Sequence, residues 1–497
     1  MAPVVRRTSA RRKISKRWIG LAVGLLLTLI LAGLLWRTLA PPGAQLVSVA
    51  AANAQSRQLA RAILVQLASL PSAQSGSVKL IDGSSTDRKP NLIFQAAAVG
   101  PTSGSLTFIS RRDGSILWSR QFAASDVDLA QRQSVAAAKV LDCAIDALTP
   151  RAARVTREVL KMYLDACSAM ADLGWEAGPV VASLRHVTKA APKFSAGWAK
   201  LLIAETHSLI ISEDRSPAAM AQLRADIIAA RKADPQLAEA SMAEAMMLPM
   251  PPIVPVIALV DRAKSQNPNS ETVLSEHSLL MQMVGRTREA TDDARQVTEL
   301  DPLSAEARSD YILTLAYADQ IAEARQQLAL AKRKWPDAKT LAQAELSIEL
   351  RYGDPQKALA SALMPPGPGR DDYLALRMNP SNENVERFFL RAMRLDLTAD
   401  QLAFGLQAFS EVGRPDKAYA LLQKPGLISF PTRSAYILFR PHMRSFRADR
   451  RFMSFAKRLG LLDFWQSTAK WPVFCEDPRL PYDCKAEAAK LSSLDHH

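Results

Sequence analysis

Residues 301–336, DPLSAEARSDYILTLAYADQIAEARQQLALAKRKWP, decide the fold. The stretch runs from one Asp-Pro pair to the next proline turn, and it repeats. Asp234-Pro235, Asn267-Pro268, Asp301-Pro302 and Trp335-Pro336 place prolines at spacings of 33, 34 and 34 residues. Gly285, Asp319 and Gly353 keep the same register and read as inter-helix turns; Ala290, Ala324 and Ala358 follow each of them by five residues. Ala230, Ala263, Val297 and Ala331 lie five residues before the successive prolines. Proline ends or begins a helix where its missing N–H does no harm, and small residues let two helices approach. Paired helices that cannot bury their apolar faces alone stack into a solenoid.

These residues and spacings resemble the tetratricopeptide repeat (TPR) family, although its large aromatic positions are poorly kept. The resemblance is strongest over 204–360, and the whole helical array is expected over 151–430. An earlier, irregular unit follows Pro192–Phe194, and Gly413-Arg414-Pro415 restates the turn later. The PPGPG at 365–369 interrupts the array. The surface of such a stack commonly takes a protein or peptide, a step that rests on fold analogy.

Upstream, the spacing changes. QLVSVA (45–50), SVKLI (77–81), NLIFQAA (91–97), SLTFIS (105–110) and SILWSRQF (115–122) read as strands, and helical spacing returns at 53–70 and 127–147. A small α/β domain with antiparallel strands is expected over 45–148. Neither G-x-G-x-x-G nor G-x-x-x-x-G-K-[ST] occurs, so Asp82-Gly83 and Asp113-Gly114 read as turns.

Further upstream, WIGLAVGLLLTLILAGLLW at 18–36 is uncharged and follows seven cations, Arg6, Arg7, Arg11, Arg12, Lys13, Lys16 and Arg17. Its length suits a bilayer, and the basic stub at 1–17 favours a cytoplasmic N-terminus. The expectation is a single-pass bacterial inner-membrane protein, in contact with lipid through 18–36, with a periplasmic body. The PMPPIVPVIALV run at 249–260 is too short to span and reads as a turn plus a buried helix. Half of the formal +14 charge sits in the stub, which leaves no isolated basic domain for specific nucleic-acid binding.

The C-terminal segment is not another repeat. Arg440-Pro441-His442-Met443-Arg444, Asp449-Arg450-Arg451-Phe452, Leu459-Gly460-Leu461, Phe464-Trp465 and Pro472-Val473-Phe474-Cys475 follow one another. They resemble the C-terminal element of membrane-anchored sensors of the CadC or adenylate-cyclase-associated type, with Arg450 in place of a family proline and Phe464 in place of a tyrosine. The α/β segment is similar to the TolB- or FlgO-like domain of such proteins. The resemblance implies a periplasmic sensing body; the chain lacks the winged-helix or cyclase output domain of those families, so signalling would need a separate partner. A cap over 431–485, built around Phe452, Gly460, Phe464 and Trp465, and a tail at 486–497 complete the organisation.

Cys475 and Cys484 flank a short polar loop that a disulfide would close in an oxidising compartment, for a gain of roughly 2–4 kcal/mol. Cys143 and Cys167 are the other candidate pair; the alternative is two buried thiols. His186, His207 and His277 stand alone in helical segments, and His442 with His496-His497 does not make a ligand set. No catalytic residue, cofactor or metal is expected. The function read from this is a non-enzymatic, membrane-tethered periplasmic scaffold or sensor-derived protein, binding a protein or peptide in the periplasm or in a membrane complex. The alternatives are an envelope-associated enzyme with an unrecognised site and a purely structural envelope protein.

Overall fold

The computed structural model describes residues 45–83, 89–98, 103–122, 129–148, 153–172, 174–212, 215–361, 367–424, 430 and 432–493. Five strands open it: β1 (Gln45–Ala51), β2 (Val78–Asp82), β3 (Leu92–Ala98), β4 (Gly104–Ser110) and β5 (Ile116–Phe122), in the sheet order β2-β1-β3-β4-β5. Leu92, Phe94 and Ala96 alternate onto the buried face of β3, and Phe94 lies opposite Phe108 of β4 with ring centroids 4.4 Å apart. Helix α1 (Arg57–Leu67) turns Ala60, Ile63 and Leu67 to the core. The expected antiparallel pairing is corrected at β1. β1 runs parallel to both β2 and β3, because helix α1 carries the chain from β1 to β2 and β3 then returns on the other side of β1. Only β3-β4-β5 form the antiparallel meander.

Helix α2 (Leu129–Leu148) leads into the helical array. There follow α3 (Arg157–Ala169), α4 (Ala177–Ala190), α5 (Ser195–Ser212), α6 (Pro217–Ala233), α7 (Ala238–Met247), α8 (Val254–Gln266), α9 (Glu271–Met283), α10 (Thr287–Leu300), α11 (Ala305–Tyr317), α12 (Ile321–Lys334) and α13 (Lys339–Tyr352). The periodic residues have a common mechanical role. Asp234, Asn267, Asp301 and Trp335, each preceding a proline, leave the helical region and donate their N–H to the carbonyls of Ala230, Ala263, Val297 and Ala331, all at 2.9 Å. The proline restricts the residue before it, so each helix stops at the same point.

The opposite turns share a second device. Gly285 and Asp319 have φ of +77° and +68°, and the next residues, Arg286 and Gln320, donate to Met281 and Leu315 at 2.8 and 2.9 Å. This is the six-to-one bond of a left-handed helix stop. Gly413 repeats it, with Arg414 bonded to Phe409. Gly353 does not: its φ is −102°, and Asp354 instead caps a short helix, α14 (Pro355–Ala360), accepting from the Gln356 N–H. Spacing persists there while the turn changes. Beyond it lie α15 (Pro368–Met378), α16 (Asn382–Arg394), α17 (Ala399–Glu411) and α18 (Pro415–Leu421).

The cap comprises a 3-10 segment at Thr432–Phe439, then α19 (Arg444–Ala448), α20 (Arg451–Arg458), α21 (Leu461–Thr468) and α22 (Cys484–Ser493). Gln45–His497 form one compact unit. The architecture is thus a small α/β segment followed by a TPR-like helical solenoid. The membrane-spanning part of the expected fold is corrected. The stub at 1–17 and the run at 18–36 fall outside the described residues, and no described helix is long and apolar enough to cross a membrane. The single-pass inner-membrane topology and the periplasmic location that depended on it are not supported.

Candidate functional site

In each hairpin the helix after the proline turn, α7, α9, α11 or α13, forms one face of the stack. Two elements of the chain itself lie on that face. The first is α2. Its Lys139 Nζ reaches Glu271 at 2.7 Å and Asp301 at 2.8 Å, and its Gln131 donates to the Leu303 carbonyl at 3.3 Å. Burial alone would lower the Lys139 ammonium; the two carboxylates outweigh it and raise it. Cys143 of α2 is disulfide-bonded to Cys167 of α3. Beside this contact, Asp142 is pushed up to about 7 by burial, and Asp146 and Glu239 are raised by the same cause.

The second element is the cap. Its seat is the turn at Gly285. Val473 donates to the Gly285 carbonyl at 3.0 Å, Trp465 Nε1 to Val284 at 2.9 Å, and Arg286 Nη1 to the Trp471 carbonyl at 2.8 Å. A Cβ at position 285 would stand 2.6 Å from both Phe439 and Pro472. Gly285 therefore serves both the left-handed turn and a close approach. Phe452, Phe464 and Trp465 are fully buried, and Gly460 starts α21 at φ +74°. Cys475 and Cys484 are bonded across the 476–483 loop.

Further out, Arg440 lies over the rings of Tyr317 (4.1 Å) and Tyr436 (5.1 Å), and His442 Nε2 donates to the Arg351 carbonyl at 2.6 Å. A cavity of about 380 Å³ adjoins this junction, lined in part by Gly285, Tyr317, Asp319, Arg444, Arg447 and Phe474.

On the first-helix face, α9 and α11 carry acidic groups. Glu276 is raised by burial, with Arg433 of the cap as its cationic neighbour. Glu306 and Asp310 are exposed on α11, yet the surrounding protein and Glu306 push Asp310 up to about 6. These residues gave no motif in the sequence; only their recurrence in the same turn of successive first helices signals them.

The remaining repeat residues are scaffold. Ala290, Ala324 and Ala358 are buried where paired helices touch, and Pro235, Pro268, Pro302 and Pro336 occupy the turns. The isolated histidines do not converge. His186 is exposed, and His207 stacks on Trp175 at 4.2 Å. His277 is buried between Asp293 and Asp261, with Lys264 also on Asp293 at 2.5 Å. His496 and His497 fall outside the described residues. Among the described residues, no group of three or more His, Cys, Asp or Glu is arranged to hold a metal ion.

No family model matches the chain, and no curated protein is similar to it at a significant level. Among solved structures, the crystal structure of yeast Tom70 is similar over 73% of this chain and 73% of its own, at 14% identity and a TM-score of 0.31. The sensor resemblance drawn from the C-terminal motifs and the α/β segment, the TolB- or FlgO-like assignment, and the membrane, signal-anchor and periplasmic parts of the expected function are corrected: no family model or curated protein carries them, and no described helix is long and apolar enough to cross a membrane. The TPR-like stack of helical hairpins stands on the chain's own elements.

Proposed function

We propose that this chain is a non-enzymatic interaction protein that holds a basic protein segment on the first-helix face of its repeats. One observation carries the proposal. Glu276, Glu306 and Asp310 line that face on α9 and α11, between the docked α2 and the cap, and two of them are held above their ordinary carboxylate range. Carboxylates raised by desolvation are returned toward their charged form by a lysine or arginine side chain, and complementary charge sets partner choice and encounter rate.

The test is fluorescence anisotropy with equal-length lysine/arginine-rich and aspartate/glutamate-rich peptides. Saturable binding of the basic peptide alone, weakened by Glu306→Gln with Asp310→Asn and by added salt, is expected. Equal binding of both peptides, or no effect of the double variant, overturns the proposal.

A further inference from the structure

The junction between α13 and the cap gathers Arg351, Arg377, Arg440 and Arg447, with the Glu411 carboxylate on Arg377 and 3.6 Å from His442. Arg440 is only 5% exposed, yet no described carboxylate pairs with it. Among the described residues its guanidinium makes one hydrogen bond, a long one from Nη1 to Gln407 Oε1 at 3.4 Å, and its Nε has no partner. The Nε of Arg351 and the hydroxyl of Tyr352 are likewise buried without a partner. All three orphaned groups can donate a hydrogen bond.

The neighbours add charge. Arg447 is 7% exposed and spends its Nη1 on the carbonyls of Leu438 (2.6 Å) and Arg440 (2.8 Å). Arg377 is matched by Glu411 at 2.8 Å, and that carboxylate also accepts from the Tyr373 hydroxyl at 2.6 Å. His442 is pushed down to about 4, first by burial and then by Arg377, Arg351, Arg440 and Arg447. It stays neutral, and its Nε2–H is already given to a carbonyl.

We propose that this junction binds a small oxyanion, a phosphate or a carboxylate, on Arg440, Arg351 and Tyr352. Burying a guanidinium without a counter-charge is costly, and a hydrogen-bonded water would satisfy a donor without neutralising it. Guanidinium groups match the paired oxygens of carboxylate and phosphate. Tyr317, whose ring faces Arg440, also lines the neighbouring 380 Å³ cavity with Arg447. The ligand would bridge α13 and the cap, so its binding would fasten one to the other. The site is separate from the first-helix acidic face.

Isothermal titration of the full chain tests this, with inorganic phosphate in one arm and acetate or citrate in the other, at constant ionic strength in chloride. Saturable one-to-one binding in at least one arm is expected, and the tighter arm identifies the ligand class. Arg440→Met should weaken binding by roughly tenfold or more, a loss of about 1.4 kcal/mol. Tyr352→Phe should weaken it several-fold, and Arg224→Met on the exposed surface of α6 should leave it unchanged. Lack of saturable binding in both arms overturns the proposal. So does unchanged affinity in folded Arg440→Met; if that variant does not fold, unchanged affinity in Tyr352→Phe does so.

Discussion

The hairpins from Val254 to Tyr352 and the cap from Phe430 to Ser493 meet at the Gly285 turn, yet they are stabilised in different ways. In the hairpins, small side chains lie at the helix contacts: Ala263, Ala290 and Ala324 are fully buried, and each helix touches its neighbours in sequence. In the cap, large rings do the packing. Phe446, Phe452, Phe464 and Trp465 are fully buried, and Trp465 bonds to a carbonyl 181 residues earlier. Stability in a repeat stack is close to a sum of neighbour terms. The cap instead joins distant parts of the chain, so one ring lost there should weaken more than one small residue altered in a hairpin.

That difference can be broken most directly at Trp465. Trp465→Ala should destabilise the chain by about 3–5 kcal/mol in urea unfolding, through lost packing and the lost Val284 bond. A cost below about 1 kcal/mol would mean the cap is not integral to the fold. Cys475→Ser opens a cap loop closed over a separation of 9 residues and should cost about 2–3 kcal/mol in the oxidised protein, measured in the same way. On the hairpin side, Ala324→Leu forces methyl groups into a full contact and should cost about 1–3 kcal/mol. A larger loss there than at Trp465 would reverse the ranking.

A smaller, pH-dependent effect separates the two regions further. The hairpins contain a polar cluster spanning α8, α9 and α10: His277 between Asp261 and Asp293, with Lys264 on Asp293 and Lys470 facing Asp261 from the cap side. Burial lowers the imidazole, but hydrogen bonds to Asp261 and Asp293 outweigh it, and the folded value is raised. The stabilisation is therefore fully present below the unfolded value near ~6.5 and is lost as pH rises through the folded value. Urea midpoints taken from pH 6 to 9 should fall more steeply for the natural chain than for His277→Gln. Parallel curves would show that the cluster contributes nothing through its proton.

What the sequence reveals follows the same division. The prolines, the small residues before them and the Gly285 and Asp319 turns are legible because each repeats one local mechanical role. Gly353 keeps the spacing but not the conformation, since Asp354 and Pro355 start a new helix at once. The parallel neighbours of β1 were hidden because strand order depends on a crossover, not on local alternation. Lys139 meets Glu271 across 132 residues, and Arg440 meets Tyr317 through the cap; neither contact has a local signature. The acidic face and the arginine-rich junction are products of assembly, whereas the frame that positions them is written locally.

The smallest effect compares two turns with the same backbone. Asp319 holds φ +68°, a conformation that costs an L-residue but not glycine, and its side chain is 60% exposed with Arg444 only at 3.7 Å. An exposed pair of that kind contributes little. Asp319→Gly should thus relieve strain, offset in part by the greater freedom of glycine in the unfolded chain, for a net gain below about 1 kcal/mol. At the equivalent Gly285, alanine would introduce both backbone strain and a collision with Phe439 and Pro472, so Gly285→Ala should destabilise. Opposite signs in urea unfolding would show that one turn serves only the repeat, while the other also seats the cap. If both substitutions destabilise, the Asp319 side chain holds its turn by more than its weak contact with Arg444.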